Sequence, residues 1–254
     1  SFPTDPSPRA AIARLAREAR ALAARRRIRL DGAGLAVPGD IDHEAGRVRV
    51  SPNLPRWNGA PVGRWLRQSL RVPVTVENDA TAAAWGAFRT EVVVRGGRPS
   101  GRPGNLLCVT LGTGVGGGLV LDGKIFRGAT GTAGEFGHMV VDPDGPRCRC
   151  GNRGCVEAFA GTYGLLGAAR RAGLRVGSVP DLRTIALSPS PRRGDGTSAE
   201  AEGGGVGAVA RRIFRDAYTM LGIALANVVN LLNLDAVILT GGIAHSGHLV
   251  LGPV

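Results

Sequence analysis

Apolar residues recur along this chain with two periods. In residues 8–27 they fall at Ile12, Leu15, Ala19 and Leu22, the spacing of one helix face, with Asp5 or Ser7 placed to cap the first turn. The strongest helical stripe runs through Ile213, Ala217, Leu221, Ala224, Val228 and Leu231 and predicts a helix over 209–232. Shorter helices are expected over 61–70, 80–88 and 162–172. Short apolar and β-branched runs at 30–37, 47–50, 72–76, 106–111, 119–121, 124–126 and 236–239 read as strands. Asp122-Gly123 is a tight hairpin signal between two of them.

The run 72–76 leads through Glu77-Asn78-Asp79 straight into the helix expected at 80–88. Asp79 therefore sits between the carboxyl end of a strand and the first turn of a helix, the edge at which open α/β sheets bind ligands. The same position suits a plain helix N-cap, and position alone favours that role.

The span 105–159 holds three further features. Gly112-Thr113-Gly114 interrupts two strands, and Gly116, Gly117 and Gly118 follow. Glycines let a backbone turn tightly and bring its N–H groups up to an anion, and Thr113 adds a hydroxyl. The run is either a phosphate cradle or a glycine-rich turn without a ligand; it lacks the Lys of a P-loop. Next, His138 precedes Cys148, Cys150 and Cys155 in the pattern H-x9-C-x-C-G-x-x-G-C. One imidazole and three thiolates make a Cys₃His set suited to tetrahedral Zn²⁺, and Gly151 and Gly154 let the chain fold back on the metal. Four protein ligands leave no open position, so such an ion would be structural. A disulfide or unrelated free thiols are the alternatives, the disulfide being disfavoured in a cytosolic chain. Cys108, inside the first strand, reads as a small core residue. Finally, Glu135 lies three residues before His138 and Glu157 two after Cys155. A metal that fixes the ligands fixes these carboxylates too, as acceptors for hydroxyl groups; taken singly, each reads as surface charge.

Composition narrows the picture. The chain has 254 residues, enough for two modest lobes. Apolar residues make up 43% but aromatics only 4%, so the core is built from Ala, Val, Leu and Ile. The net charge of +12 raises a nucleic-acid partner. The basic residues are scattered arginines, however, with Lys124 the one lysine and no aromatics interleaved. Arg25-Arg26-Arg27 reads as a solvated helix end, and nucleic acid is not expected unless a DNA-binding segment precedes Ser1. The most apolar window, 221–240, is interrupted by Asn227, Asn230, Asn233 and Asp235, which argues against a membrane span. Residues 1–5 lack the pattern of a signal peptide, and a cytoplasmic protein is expected. Residues 95–104 read as an exposed loop and 188–205 as a low-complexity, flexible one.

Three motifs carry a resemblance: VENDATAAAWGA, LGTGVGGGLVLDGKIFRGATGTAGEFGH and CRCGNRGCVE. Through them the chain resembles the ROK family of bacterial sugar kinases, glucokinase-like enzymes and sugar-responsive repressors, over about residues 4–246. The resemblance implies an α/β fold of two lobes, actin/hexokinase-like (ribonuclease H-like), with the site in the cleft. It divides the chain into 1–104 and 105–254, each incomplete. The family's first β-hairpin, with its Asp-x-Gly-Gly-Thr motif, is not found before Pro8, and the family's closing helices are missing after Gly242. Thr81 stands where the family usually has Asn. The resemblance implies Asp79 as catalytic base and Asn78, Glu135, His138 and Glu157 as sugar ligands, with Asn53 on a loop that closes over the sugar. His138 would give one ring nitrogen to zinc and the other to the sugar. Gly112, Thr113, Gly114 and Gly116 would meet the phosphates of ATP, and Gly241 and Gly242 its adenosine. The implied activity is phosphorylation of a hexose, glucose first among them, by ATP with Mg²⁺, in a homodimer carrying structural Zn²⁺. A sugar-sensing repressor and an inactive fragment are the alternatives.

Overall fold

The computed structural model describes residues 5–93, 104–188 and 205–254. Helix α1 (Pro8–Arg26) is capped by Ser7, whose hydroxyl accepts from Ala10 N–H at 3.4 Å. It buries Ala11, Ile12, Ala16 and Ala23, whereas Leu22 is 49% exposed. The expected stripe drifts here because Ala23 lies three full turns from Ile12, and Leu22 is a residue short of that face. Strands β1 (Ala33–Val37), β2 (Asp40–Asp42), β3 (Arg47–Val50) and β4 (Val74–Asn78) follow, with helix α2 (Val62–Leu70) before β4. β1 and β4 pair in parallel from Ala33↔Val74 to Val37↔Asn78, and β2 and β3 form a hairpin. Ile12, Val37, Val48, Val62, Leu66 and Val76 meet in a first core.

β4 runs two residues beyond its apolar run, so α3 (Asp79–Ala87) begins at Asp79 itself. A four-stranded sheet follows in the order β7-β6-β5-β8: β5 (Leu106–Leu111), β6 (Val115–Leu121), β7 (Lys124–Phe126) and β8 (Ala236–Thr240). β8 pairs with β5 in parallel; the other pairings are antiparallel. The apolar run of β5 is continuous because both of its faces are covered. Leu106 and Cys108 meet Ala84 of α3 and Phe88 just after it. Leu107, Val109 and Leu111 face the second and larger core. That core is built by α4 (Val156–Ala160), α5 (Thr162–Arg171), α6 (Val179–Leu187) and α7 (Val206–Leu232), with α8 (His248–Leu251) closing its end. Cys108 is the core residue its position suggested, and burial pushes its thiol up to about 11.

β6 is four residues longer at its start than the expected 119–121, because Gly116, Gly117 and Gly118 lie within it. A Cβ on Gly118 would stand 2.7 Å from both the Ala80 carbonyl and Ala84 Cβ, and one on Gly117 would stand 2.6 Å from Phe136 Cβ. These glycines let α3 settle on one face of the strand and the chain at 134–136 on the other. α6, whose apolar stretch is short, is an addition to the expected elements; Ser178 caps it by accepting from Asp181 N–H. α7 begins three residues earlier than expected and buries Ile213, Ala217, Leu221 and Ala224. Leu231 continues that stripe but is 81% exposed, since the core ends before the helix does. Most of the loops expected at 95–104 and 188–205 lies outside the described residues. Among the described residues no helix is long and apolar enough to cross a membrane.

Candidate active site

A cavity of about 610 Å³ opens where the first core meets the four-stranded sheet. The turn after β1 gives it Gly39, the start of β2 gives Asp40, the end of β4 gives Asn78, and the first turn of α3 gives Asp79. The β5–β6 turn gives Gly112, Thr113 and Gly114, and β6 gives Gly116. Glu135, His138 and Glu157 enter from one side, Gly241 and Gly242 from another, and Asn53 from the loop after β3. All the non-cysteine site residues expected from the sequence thus face one space. Asp40, now among them, carried no signal beyond its place after a strand.

Asn78 caps α3: its Oδ1 accepts from Ala80 N–H at 2.9 Å and Thr81 N–H at 3.1 Å. Its Nδ2 donates to the Gly39 carbonyl at 3.0 Å. The side chain is therefore committed to the frame, with one amide hydrogen left for a ligand. Asp79, freed from capping, has its Oδ1 3.0 Å from the N–H of Ala80 and otherwise faces the cavity. We expect Asn78→Ala to lose about 2 kcal/mol of stability, for the cap and the tie to Gly39 together. Asn78→Asp keeps the cap oxygen and should lose about half as much in urea unfolding; equal losses would contradict the division.

At the glycine turn, Gly112 N–H donates to the Gly114 carbonyl at 3.0 Å, and the Gly112 carbonyl accepts from Thr162 N–H and Oγ1 at 3.0 and 2.9 Å. Among the described residues no backbone carbonyl takes the N–H of Thr113 or Gly114. Gly241, at φ +96°, packs against the Leu111 carbonyl, which also accepts from Ile243 N–H at 3.1 Å. This brings the glycine pair after β8 beside the turn. Glu157 ties the turn to α4: its Oε2 accepts from Val115 N–H at 2.9 Å. A Cβ on Gly114 would overlap that same oxygen. Gly114→Ala should therefore displace Glu157 and weaken ligand binding on both sides of it by at least about ten-fold, read by titration of each ligand. Unchanged binding of both would show that the turn and Glu157 move independently.

Beside the cavity, His138, Cys148, Cys150 and Cys155 present ligand atoms that all lie within 4.8 Å of one another. His138 Nδ1 is 3.7 Å from Cys148 Sγ, and Cys150 Sγ is 3.7 Å from Cys155 Sγ. Tetrahedral Zn–S bonds of about 2.3 Å put sulfurs about 3.8 Å apart, so donor set and spacing both fit zinc. Burial, followed by hydrogen bonding from Cys150 and Cys148, pushes the Cys155 thiol up to about 12. The Cys155 thiol therefore keeps its proton until a cation replaces it, whereas at Cys150 burial is outweighed by hydrogen bonds from the Asn152 backbone, Cys148 and Cys155, which lower the thiol. The His138 ring turns Nδ1 to the sulfurs, while its Nε2 lies 3.8 Å from Glu135 Oε2. Tyr163, which no sequence motif singled out, bridges the two halves. Its hydroxyl lies 3.3 Å from Cys148 Sγ and donates to Glu157 Oε1 at 3.4 Å.

The ROK family pattern matches residues 8–254. The chain belongs to the ROK family. Among ROK relatives, a glucokinase from Streptomyces coelicolor is 36% identical over 228 residues, covering 87% of this chain and 67% of that one. A xylose repressor from Caldicellulosiruptor bescii is 32% identical over 223 residues, covering 87% of this chain and 52% of that protein. The chain thus spans two thirds of the glucokinase and about half of the repressor. Its mixed α/β structure is that of the ROK hexokinases and glucokinases, the actin-like ATPase fold. A ROK hexokinase from Thermus thermophilus matches with a TM-score of 0.77 at 30% identity, covering 99% of this chain and 78% of that one. A ROK glucokinase from Streptomyces griseus, solved with glucose and AMPPNP, matches with a TM-score of 0.69 at 32% identity, covering 98% and 77%.

Proposed function

We propose that this protein transfers the γ-phosphoryl group of ATP to a hexose, glucose first among the candidates. The observation that carries the reading is the meeting of an unencumbered carboxylate, a glycine turn and a set of hydroxyl acceptors in one cavity. Asp79 takes the proton of the sugar's 6-hydroxyl as that oxygen attacks the γ-phosphorus in line. The new O–P bond forms as the bond to the β-phosphate oxygen breaks and ADP leaves. Such transfers depend mainly on positioning and charge neutralisation, so one base and a rigid sugar cradle go far. Glu135, His138 and Glu157 accept sugar hydroxyls, with Asn53 and the remaining Asn78 amide hydrogen beside them. The Thr113 and Gly114 N–H groups meet the phosphates of ATP, taken as its Mg²⁺ complex. The adenosine lies past Gly241 and Gly242, toward an adjoining cavity of about 340 Å³ that shares Gly112, Thr113 and Gly242 with the first.

His138, Cys148, Cys150 and Cys155 hold Zn²⁺, which fixes the cradle and supplies no chemistry of its own. The reading takes residues 1–104 and 105–254 as the two lobes of a cytoplasmic, homodimeric enzyme. It is tested by ADP formation with glucose, mannose, fructose and amino sugars offered in turn. Sugar-dependent ADP formation is expected. Sugar binding without ADP would instead favour the sugar-sensing role suggested by the likeness to the xylose repressor.

A further inference from the structure

The chain between β7 and Glu135 has little of its own to hold it. Gly128, Gly131 and Gly134 all sit at positive φ, and 128–130 are exposed. Within it run one backbone bond, Ala133 N–H to the Arg127 carbonyl at 3.0 Å, and a contact of 2.9 Å between the Thr130 and Thr132 hydroxyls. Glycines at such spacing give a chain wide conformational freedom unless something outside it restricts them. This segment nevertheless delivers Glu135, 61% exposed, to the cavity wall.

Packing of Gly134 and Phe136 on β6 holds its far end, and two arginines restrict the rest. Arg127 Nε and Nη2 both donate to Glu77 Oε2, at 2.9 and 2.6 Å. Glu77 is on β4, two residues before Asp79, and the pair is sheltered, with side chains 27% and 13% exposed. Arg49 of β3 donates through Nη1 to the Thr130 carbonyl at 2.7 Å, and its guanidinium is itself held by Asp40 at 3.2 Å and Asp42 at 3.7 Å. Both ties run from the first core to the segment that leaves the four-stranded sheet. Asp40, which holds Arg49, also lines the cavity.

We propose that Arg127 and Arg49 form a clasp that positions the 127–135 segment, and through it Glu135, against the strand that leads into Asp79. Arg127 is the principal positioning residue. Its charge also balances Glu77, whose side chain is only 13% exposed and would otherwise stand unpaired. The inference rests on the hexose-site reading above. It adds that sugar affinity depends on a pair of side chains that touch neither sugar nor nucleotide. Loss of a sheltered, charge-assisted contact is worth about ten-fold in a binding constant. Arg49, more exposed and single-bonded, is worth about three-fold.

The test is calorimetric titration of glucose and of AMPPNP into wild type, Arg127→Met, Glu77→Gln, the double variant and Arg49→Gln, each first checked for folding. The clasp predicts a glucose Kd about ten-fold higher in Arg127→Met and Glu77→Gln, with no further loss in the double variant. AMPPNP binding should stay within about two-fold, a split that general loosening of the fold would not give. Arg127→Lys keeps the charge without the two-pronged contact and should lie between, at about three-fold; it stands in if Arg127→Met fails to fold. Folded Arg127 variants that bind glucose as wild type does would overturn the clasp alone. Single losses that multiply in the double variant would overturn it too, because the two residues would then act separately. If wild type binds none of glucose, mannose, fructose or amino sugars, the hexose-site reading falls, and the clasp with it.

Discussion

Asp79→Asn should lower turnover by about 10³-fold while leaving hexose binding within about two-fold of wild type. The substitution is nearly isosteric, and the structure gives it little else to disturb. Among the described residues the one hydrogen bond to the Asp79 carboxylate is that from Ala80 N–H to Oδ1, and an amide oxygen accepts it equally well. The cap of α3 belongs to Asn78, so the helix start is untouched. What changes is the ability to accept the hydroxyl proton as the sugar oxygen attacks. Unfolding in urea should therefore move by less than about 0.5 kcal/mol. Rapid-quench measurement of the chemical step, beside a glucose titration, separates the two effects. Near-normal turnover would remove Asp79 as base. Loss of sugar binding in step with turnover would make it a sugar ligand instead.

Cys150→Ser should have the second-largest effect, and on binding rather than chemistry. Cys150 is exposed at the rim of the cluster, so its replacement leaves the core intact. It does remove one of four ligands whose atoms lie within 4.8 Å. Bound zinc should fall from about one per chain to near zero. Without the ion, His138 loses what fixes its Nδ1, and α4, which begins just after Cys155 and carries Glu157, loses its anchor. Hexose affinity should then drop by about ten- to a hundred-fold. Cys108→Ser is the control. That residue lies on β5 against α3, away from the cluster, so zinc content should hold while stability falls by about 1–3 kcal/mol. Zinc-free Cys150→Ser that binds hexose as tightly as wild type would separate the metal from the cradle.

The parts of this site written in short stretches of sequence were legible there. The strand–Glu-Asn-Asp–helix junction, the glycine turn and the cysteine spacing each need only local chain geometry. Contacts spanning long separations were not. Arg127 meets Glu77 across 50 residues and Glu157 meets Val115 across 42, and neither pair leaves a mark on composition or period. Gly116 illustrates a second limit. A glycine needed for close packing looks, in sequence, like a glycine needed for an anion, and here a Cβ would stand 2.6 Å from Thr110 Oγ1 and 3.0 Å from Ala80 Cβ. Asn78 is the same lesson in a polar residue, because its capping role is settled by where β4 ends. The hydrophobic stripe of α7 marked its inward face but not where the core stops, as Leu231 shows, and that of α1 missed the inward face by about one residue, as Leu22 beside the buried Ala23 shows.

The most direct measurement is ³¹P NMR of the protein mixed with ATP, Mg²⁺ and glucose. The account predicts a growing sugar 6-phosphate resonance matched by the loss of ATP and the rise of ADP, with no inorganic phosphate. ATP that persists unchanged in the presence of bound glucose, or that yields inorganic phosphate instead of a sugar phosphate, would contradict it.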